Sequence, residues 1–233
     1  KEEVLFGKHP HQPNRNDVED NDGFGSSVAT FGRLAIVGSP GEDDGKNDSG
    51  AAYLFQHDGI NWRQVSRLKA ETPGERHHFG EAVSVHETIA VVGTYASNNV
   101  GLDSGIAYVF EENQTTWTQM DTLAPTNGTS GDKFGWSVAN SDKYIAVGAP
   151  YFDTGHENAG AVFIFEKLNE AWQQVAQIVA DDGQAEDLFG WSLSLDGTTL
   201  VVGARNGDAV DVSNSGTAYV FNKTGGVWRQ TTK

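Results

Sequence analysis

Apolar positions along the chain fall into short segments of about four to eight residues, separated by polar turns rich in glycine, aspartate and asparagine. In one stretch the segments occupy residues 134–139, 144–150, 161–165 and 172–179. No window sustains the 3.6-residue period of an amphipathic helix, so each segment predicts a strand. The quartet recurs along the chain. Phe24-Gly25, Phe79-Gly80, Phe134-Gly135 and Phe189-Gly190 stand 55 residues apart, and Trp62, Trp117, Trp172 and Trp228 open the fourth segment of each copy. Gly38, Gly93, Gly148 and Gly203 close the second segment, while Gly50, Gly105, Gly160 and Gly216 open the third. A fixed period of this size marks a repeat architecture in which no copy buries its apolar surface alone.

The third segment shows how the copies are covered. Tyr53 and Phe55, Tyr108 and Phe110, Phe163 and Phe165, and Tyr219 and Phe221 alternate with Ala52 and Leu54, Ala107 and Val109, Val162 and Ile164, and Ala218 and Val220. Successive strand side chains point to opposite faces, so both faces of each sheet are apolar and both need a neighbour. Sheets stacked face to face around an axis satisfy this. The expected fold is all-β, a β-propeller of four repeats of about 55 residues, each a four-stranded antiparallel blade, forming a four-bladed ring or part of a larger one. Residues 20–233 hold the four copies. Residues 1–19 do not match the repeat and read as an irregular segment, in which residues 4–6 are expected to form a strand that pairs with the last blade and closes the ring.

Phe-Gly followed some 14 residues later by Gly-Ala-Pro, intact as Phe134-Gly135 with Gly148-Ala149-Pro150, resembles the FG-GAP repeat of integrin α-subunit propellers and of many secreted and bacterial surface proteins. The other copies vary the second half as Gly38-Ser39-Pro40, Gly93-Thr94-Tyr95 and Gly203-Ala204-Arg205. The resemblance covers about residues 20–228 and implies an extracellular or cell-surface setting. Family members that bind calcium carry an Asp-x-Asp-x-Asp-Gly type loop between the first and second strands. Here that connection is short in every copy, as in Thr30-Phe31-Gly32-Arg33 and His86-Glu87, so those sites do not carry over.

Acidic residues gather instead between the second and third segments: Asp43, Asp44, Asn47 and Asp48 in the first copy, Asp153 and Glu157 in the third, and Asp208 and Asp211 in the fourth. Flexible oxygen-rich loops suit Ca2+, which makes these the candidate metal ligands, although the same residue types are ordinary turn formers. Asp22, Asp132 and Asp187 recur two residues before the Phe, where an acceptor for turn N–H groups is expected; His77 replaces them in the second copy. His77, His78, Tyr95 and Arg205 break the internal rules of the repeat and are the candidate ligand-binding residues. Asn47, Asn113, Asn127 and Asn222 head Asn-x-Ser/Thr sequons and are candidate glycosylation sites.

A formal net charge of −16 on 233 residues repels phosphate backbones and anionic lipid, which argues against nucleic acid as a partner. No apolar run reaches the roughly 18 residues of a membrane span. The absence of cysteine excludes thiol chemistry and disulfides. The leading expectation is a non-catalytic extracellular adhesion or recognition module that binds protein or glycan ligands through its loops. The alternatives are a structural repeat subunit that self-associates in an extracellular assembly, and a carbohydrate-active lyase or hydrolase. No nucleophile elbow, phosphate-binding loop or zinc-protease helix supports the enzyme.

Overall fold

The computed structural model describes residues 20–43, 46–209 and 212–233, and among them every regular element is a strand. The first copy gives β1 (Val28–Phe31), β2 (Leu34–Ser39), β3 (Ala51–His57) and β4 (Trp62–Leu68). The second gives β5 (Ala82–His86), β6 (Ile89–Thr94), β7 (Ile106–Asn113) and β8 (Thr116–Leu123). The third gives β9 (Ser137–Asn140), β10 (Tyr144–Ala149), β11 (Ala161–Leu168) and β12 (Ala171–Ile178), and the fourth β13 (Phe189–Asp196), β14 (Thr199–Ala204), β15 (Thr217–Thr224) and β16 (Val227–Thr232). Each quartet is one antiparallel meander in chain order, the four-bladed pattern expected from the sequence. All four sheets break register at one equivalent place, beside Phe55, Phe110, Phe165 and Phe221, and the fourth breaks also between Phe189 and Ser192. The bulge turns Val65, Met120 and Val175 outward, which accounts for three of the exposed aliphatic side chains.

The first strand begins later than the apolar pattern suggests in the first three copies. Gly25, Gly80 and Gly135 sit at φ of 95°, 97° and 89°, and their N–H groups turn back to Gly38, Gly93 and Gly148 carbonyls. Phe-Gly is therefore the turn that enters the strand, and only in the fourth copy does the strand run from the Phe itself.

Neighbouring blades pack with dissimilar faces. The aliphatic back of the first blade, with Ile36 and Leu54, meets Phe79, Val83, Tyr108 and Phe110 on the front of the second. The second and third, and the third and fourth, meet in the same way. Phe79, Phe134 and Phe189 lie at the centre of these junctions, at most 1% exposed and packed on the aromatic pair of their own third strand, edge-on in every pair except Phe79 with Tyr108, which is tilted at 50°. The inner strands β1, β5, β9 and β13 touch in that sequence, and no comparable junction joins the fourth sheet to the first among the described residues. The closing strand expected at residues 4–6 lies outside them.

Close backbone approach explains the spaced glycines. A Cβ on Gly38, Gly93 or Gly148 would stand 1.9, 2.1 or 2.2 Å from the carbonyl oxygen of Gly80, Gly135 or Gly190 in the next blade. No side chain fits there.

Candidate functional site

In an antiparallel blade the start of the first strand and the end of the second share one end, and the loop between the second and third strands opens at that same end. Side chains from three blades meet there. His78 precedes Phe79-Gly80, Lys133 precedes Phe134-Gly135, Trp136 and Trp191 follow the third and fourth Phe-Gly pairs, and Tyr95, Tyr151 and Arg205 follow β6, β10 and β14.

The rings form a continuous row. His78 stacks on Tyr95 with centroids 6.0 Å apart and planes 13° apart. Tyr95 lies 4.9 Å from Trp136, and Trp136 lies 4.5 Å from Trp191 and 6.0 Å from Tyr151. The Lys133 ammonium is 4.5 Å from the Tyr151 ring centre and 5.5 and 5.6 Å from those of Tyr95 and Trp136, while the Arg205 guanidinium sits 4.5 Å over Trp191. Such cation–ring contacts are worth about 0.5–1 kcal/mol when exposed. His78, Tyr95, Lys133, Trp136, Tyr151 and Trp191 are partly buried, and Arg205 is exposed. The first blade has Gly23, Ser26 and Pro40 at the matching positions, so the row runs over the second to fourth blades only.

The backbone at this end is left-handed. His78, Lys133 and Leu188 hold φ of 54°, 53° and 57°, and the first copy has Gly23 at 67° in the same place. A non-glycine residue there carries strain on the order of 1 kcal/mol. The repeat imposes the conformation, and a bulky side chain is kept in it in three copies of four.

Glu81, at the position of Trp136 and Trp191, has its carboxyl pushed above the ordinary range by burial, with His78 partly offsetting this. Its charged form is thus penalised on folding, and this cost is absent below the unfolded-state pKa and grows as pH rises through the folded one. Glu81→Gln is expected to raise stability at pH 7, with the gain shrinking to nothing near pH 4, as measured by urea midpoints across that range. Burial also pushes the Tyr95 phenol up and the His77 imidazole down, the latter aided by Lys46 and His78.

Three of the four candidate ligand-binding residues, His78, Tyr95 and Arg205, are thus brought into one row. His77 is not part of it. Its ring lies against Gly74, where a Cβ would stand 1.9 Å from it, and its carbonyl accepts the Thr94 hydroxyl. Trp136, Trp191, Lys133 and Tyr151 escaped the sequence reading. The available signal was Trp at the residue after Phe-Gly, off the regular Trp position of the repeat.

The acidic loops are closed by their own side chains. Asp43 Oδ1 accepts the Asp48 N–H at 2.7 Å, Asp153 the Asn158 N–H at 2.8 Å, and Asp208 the Asn214 N–H at 2.6 Å; Asn98 does the same for Asp103 at 2.9 Å. Glu157 donates no side chain to this pattern; its carbonyl accepts the Glu186 N–H. Among the described residues no three acidic or imidazole side chains converge as a cation cage. Asp44 and Asp211 lie outside those residues. Asp132 and Asp187 accept the Thr129 and Gln184 N–H groups, the turn duty expected of them. Of the sequons, Asn47, Asn113 and Asn127 are exposed, whereas the Asn222 amide is engaged with the Thr199 and Thr231 hydroxyls.

Comparison with known proteins agrees with this architecture. No curated protein matches the sequence. Among solved structures the fold is similar to a Bacteroides uniformis protein named as a 6-phosphogluconolactonase, with a TM-score of 0.59 at 12% identity over 89% of this chain; the chain spans 56% of that one. At that identity the likeness concerns the fold alone. The FG-GAP repeat pattern matches at residues 15–55, 62–110, 117–165 and 172–221, each of the last three running from the outer strand of one blade to the third strand of the next. With four matches in register over most of its length, this chain belongs to the FG-GAP repeat family.

Proposed function

We propose that the chain is a non-catalytic recognition module of an extracellular or cell-surface protein, and that it binds glycans bearing carboxylate or sulfate groups across Tyr95, Trp136 and Trp191. The observation that carries this reading is the partly exposed ring row flanked by Lys133 and Arg205. Pyranose faces pack on aromatic rings, and a guanidinium pairs with anionic groups in forked geometry. Lys133 and Arg205 place two cations on the rings of this row, on a chain of net charge −16. Membership in a family common on secreted and surface proteins supports the location, and among the described residues no helix is long and apolar enough to cross a membrane.

A glycan array run with and without calcium tests the proposal. Acidic glycans are expected to be retained in both conditions, with weaker retention at high salt. Trp136→Ala or Arg205→Gln should weaken binding about tenfold, the equivalent of about 1.4 kcal/mol. Equal retention of neutral and acidic glycans, or full binding by both variants, would overturn the assignment. Cleavage of a retained glycan would establish the enzyme alternative in its place.

A further inference from the structure

Each internal junction is fastened by three backbone hydrogen bonds. Arg76, His78 and Phe79 donate to the carbonyls of Asn47, Asp48 and Ser49 at 2.8, 3.1 and 3.1 Å. Gly131, Lys133 and Phe134 repeat this on the second blade, and Glu186, Leu188 and Phe189 on the third. Donor strips share one conformation, with positive φ at the first two donors, and acceptor strips share another, with φ near 50° at Asp48, Asp103 and Asn158.

Both halves of a fourth such junction stand unused on this chain. On the first blade Asn21 and Gly23 have φ of 76° and 67°, the donor conformation, and the N–H groups of Asn21, Gly23 and Phe24 meet no acceptor among the described residues. On the fourth blade Asn214 has φ of 53°, the acceptor conformation; Ser213, Asn214 and Ser215 are exposed, and their carbonyls accept nothing among the described residues.

The packing beside the acceptor strip is unfilled as well. Gly203 faces no neighbouring carbonyl, unlike its three counterparts. Ser137 gives its hydroxyl to Gly190 of the next blade, while no such acceptor meets Ser192. Val201 is 38% exposed and Ala218 is exposed, where Ile36, Val91, Ala52 and Ala107 are fully buried. On the donor side Val28 is 68% exposed against 7% for Val83. The outer part of that front, at Tyr53 and Phe55, is already buried. The contact therefore falls on the inner strand and the Phe-Gly strip.

We propose that the back of the fourth blade takes the Phe24-Gly25 edge of a second copy of this chain, head to tail. The occupant follows from continuity with the three internal junctions: the edge that fits an FG-GAP blade's back is another blade's Phe-Gly strip, and this chain presents one. Such an interface is heterologous, so copies close into a ring if the rotation allows and otherwise extend in a line.

Light scattering of the full chain at about 100 μM tests this, since weak interfaces are populated at that concentration. The expected mass is at least twice the 25.1 kDa of one chain. Val201→Glu with Ala218→Glu should block one side and Val28→Glu the other; each alone should reduce the assembly to monomer. The two variants mixed should give a 1:1 pair and nothing larger, because one intact donor edge and one intact acceptor back remain. These three positions are exposed, and unchanged thermal melting confirms that the variants fold. A monomer at this concentration would overturn the proposal and leave the open back to a different blade. Assembly that survives both variants would overturn it too.

Discussion

Gly148→Val is expected to cost more than about 4 kcal/mol, a large fraction of the stability of a typical domain. The added Cβ would stand 2.2 Å from the Gly190 carbonyl oxygen and 2.3 Å from the Ser137 hydroxyl that bonds to it. A backbone oxygen on the neighbouring blade cannot rotate away, so relief requires the two sheets to part. Gly203→Val at the equivalent place in the fourth blade supplies the control. There the added atom meets only the Ser192 hydroxyl at 2.4 Å, with nothing else nearer than 3.7 Å, and that side chain can turn. It should cost less than about 1 kcal/mol, within the range of ordinary surface changes. Urea unfolding of the two variants decides the matter: equal losses would show that the glycine is kept for strand geometry and not for the approach of the next blade.

The second large effect is expected from Phe134→Ala. Phe134 is fully buried between the second and third blades, with Phe163 and Phe165 edge-on at 5.7 and 6.1 Å. Truncation removes the ring and leaves a cavity that two braced sheets cannot collapse, at a cost of about 3–5 kcal/mol. Phe24→Ala should cost clearly less, because Phe24 is only partly buried where Phe134 is fully buried. Denaturant midpoints at constant slope give both numbers. If the two substitutions cost the same, the central Phe of a junction contributes no more than a peripheral one, and the account of the core fails.

The repeat was legible because glycine and aromatic positions keep a common period, and a period survives uncertainty about any one residue. The apolar pattern placed the entry strands too early, since Phe is apolar whether it sits in a strand or in the turn before one. What marks the turn is the positive φ of the following glycine, which a residue pattern does not display. His78, Tyr95 and Arg205 were legible as departures from an internal rule. Trp136 and Trp191 were not, because the regular Trp of the outer strand supplied a sufficient reason for tryptophan in each copy. Nothing in a linear sequence says that the residue after one Phe-Gly touches the residue after the next; that follows from inner strands lying side by side. Composition marked the acidic loops as rich in oxygen ligands but carries no direction for their side chains. In the folded chain Asp43, Asp153 and Asp208 point back to their own loops.

The row from His78 to Arg205 crosses two junctions. A molecule lying along it touches three sheets at once, so the free energy of its attachment is added to the cohesion of both seams simultaneously. In the complex proposed above, occupancy would act as a rivet: prying the blades apart would cost more with the row filled than with it empty.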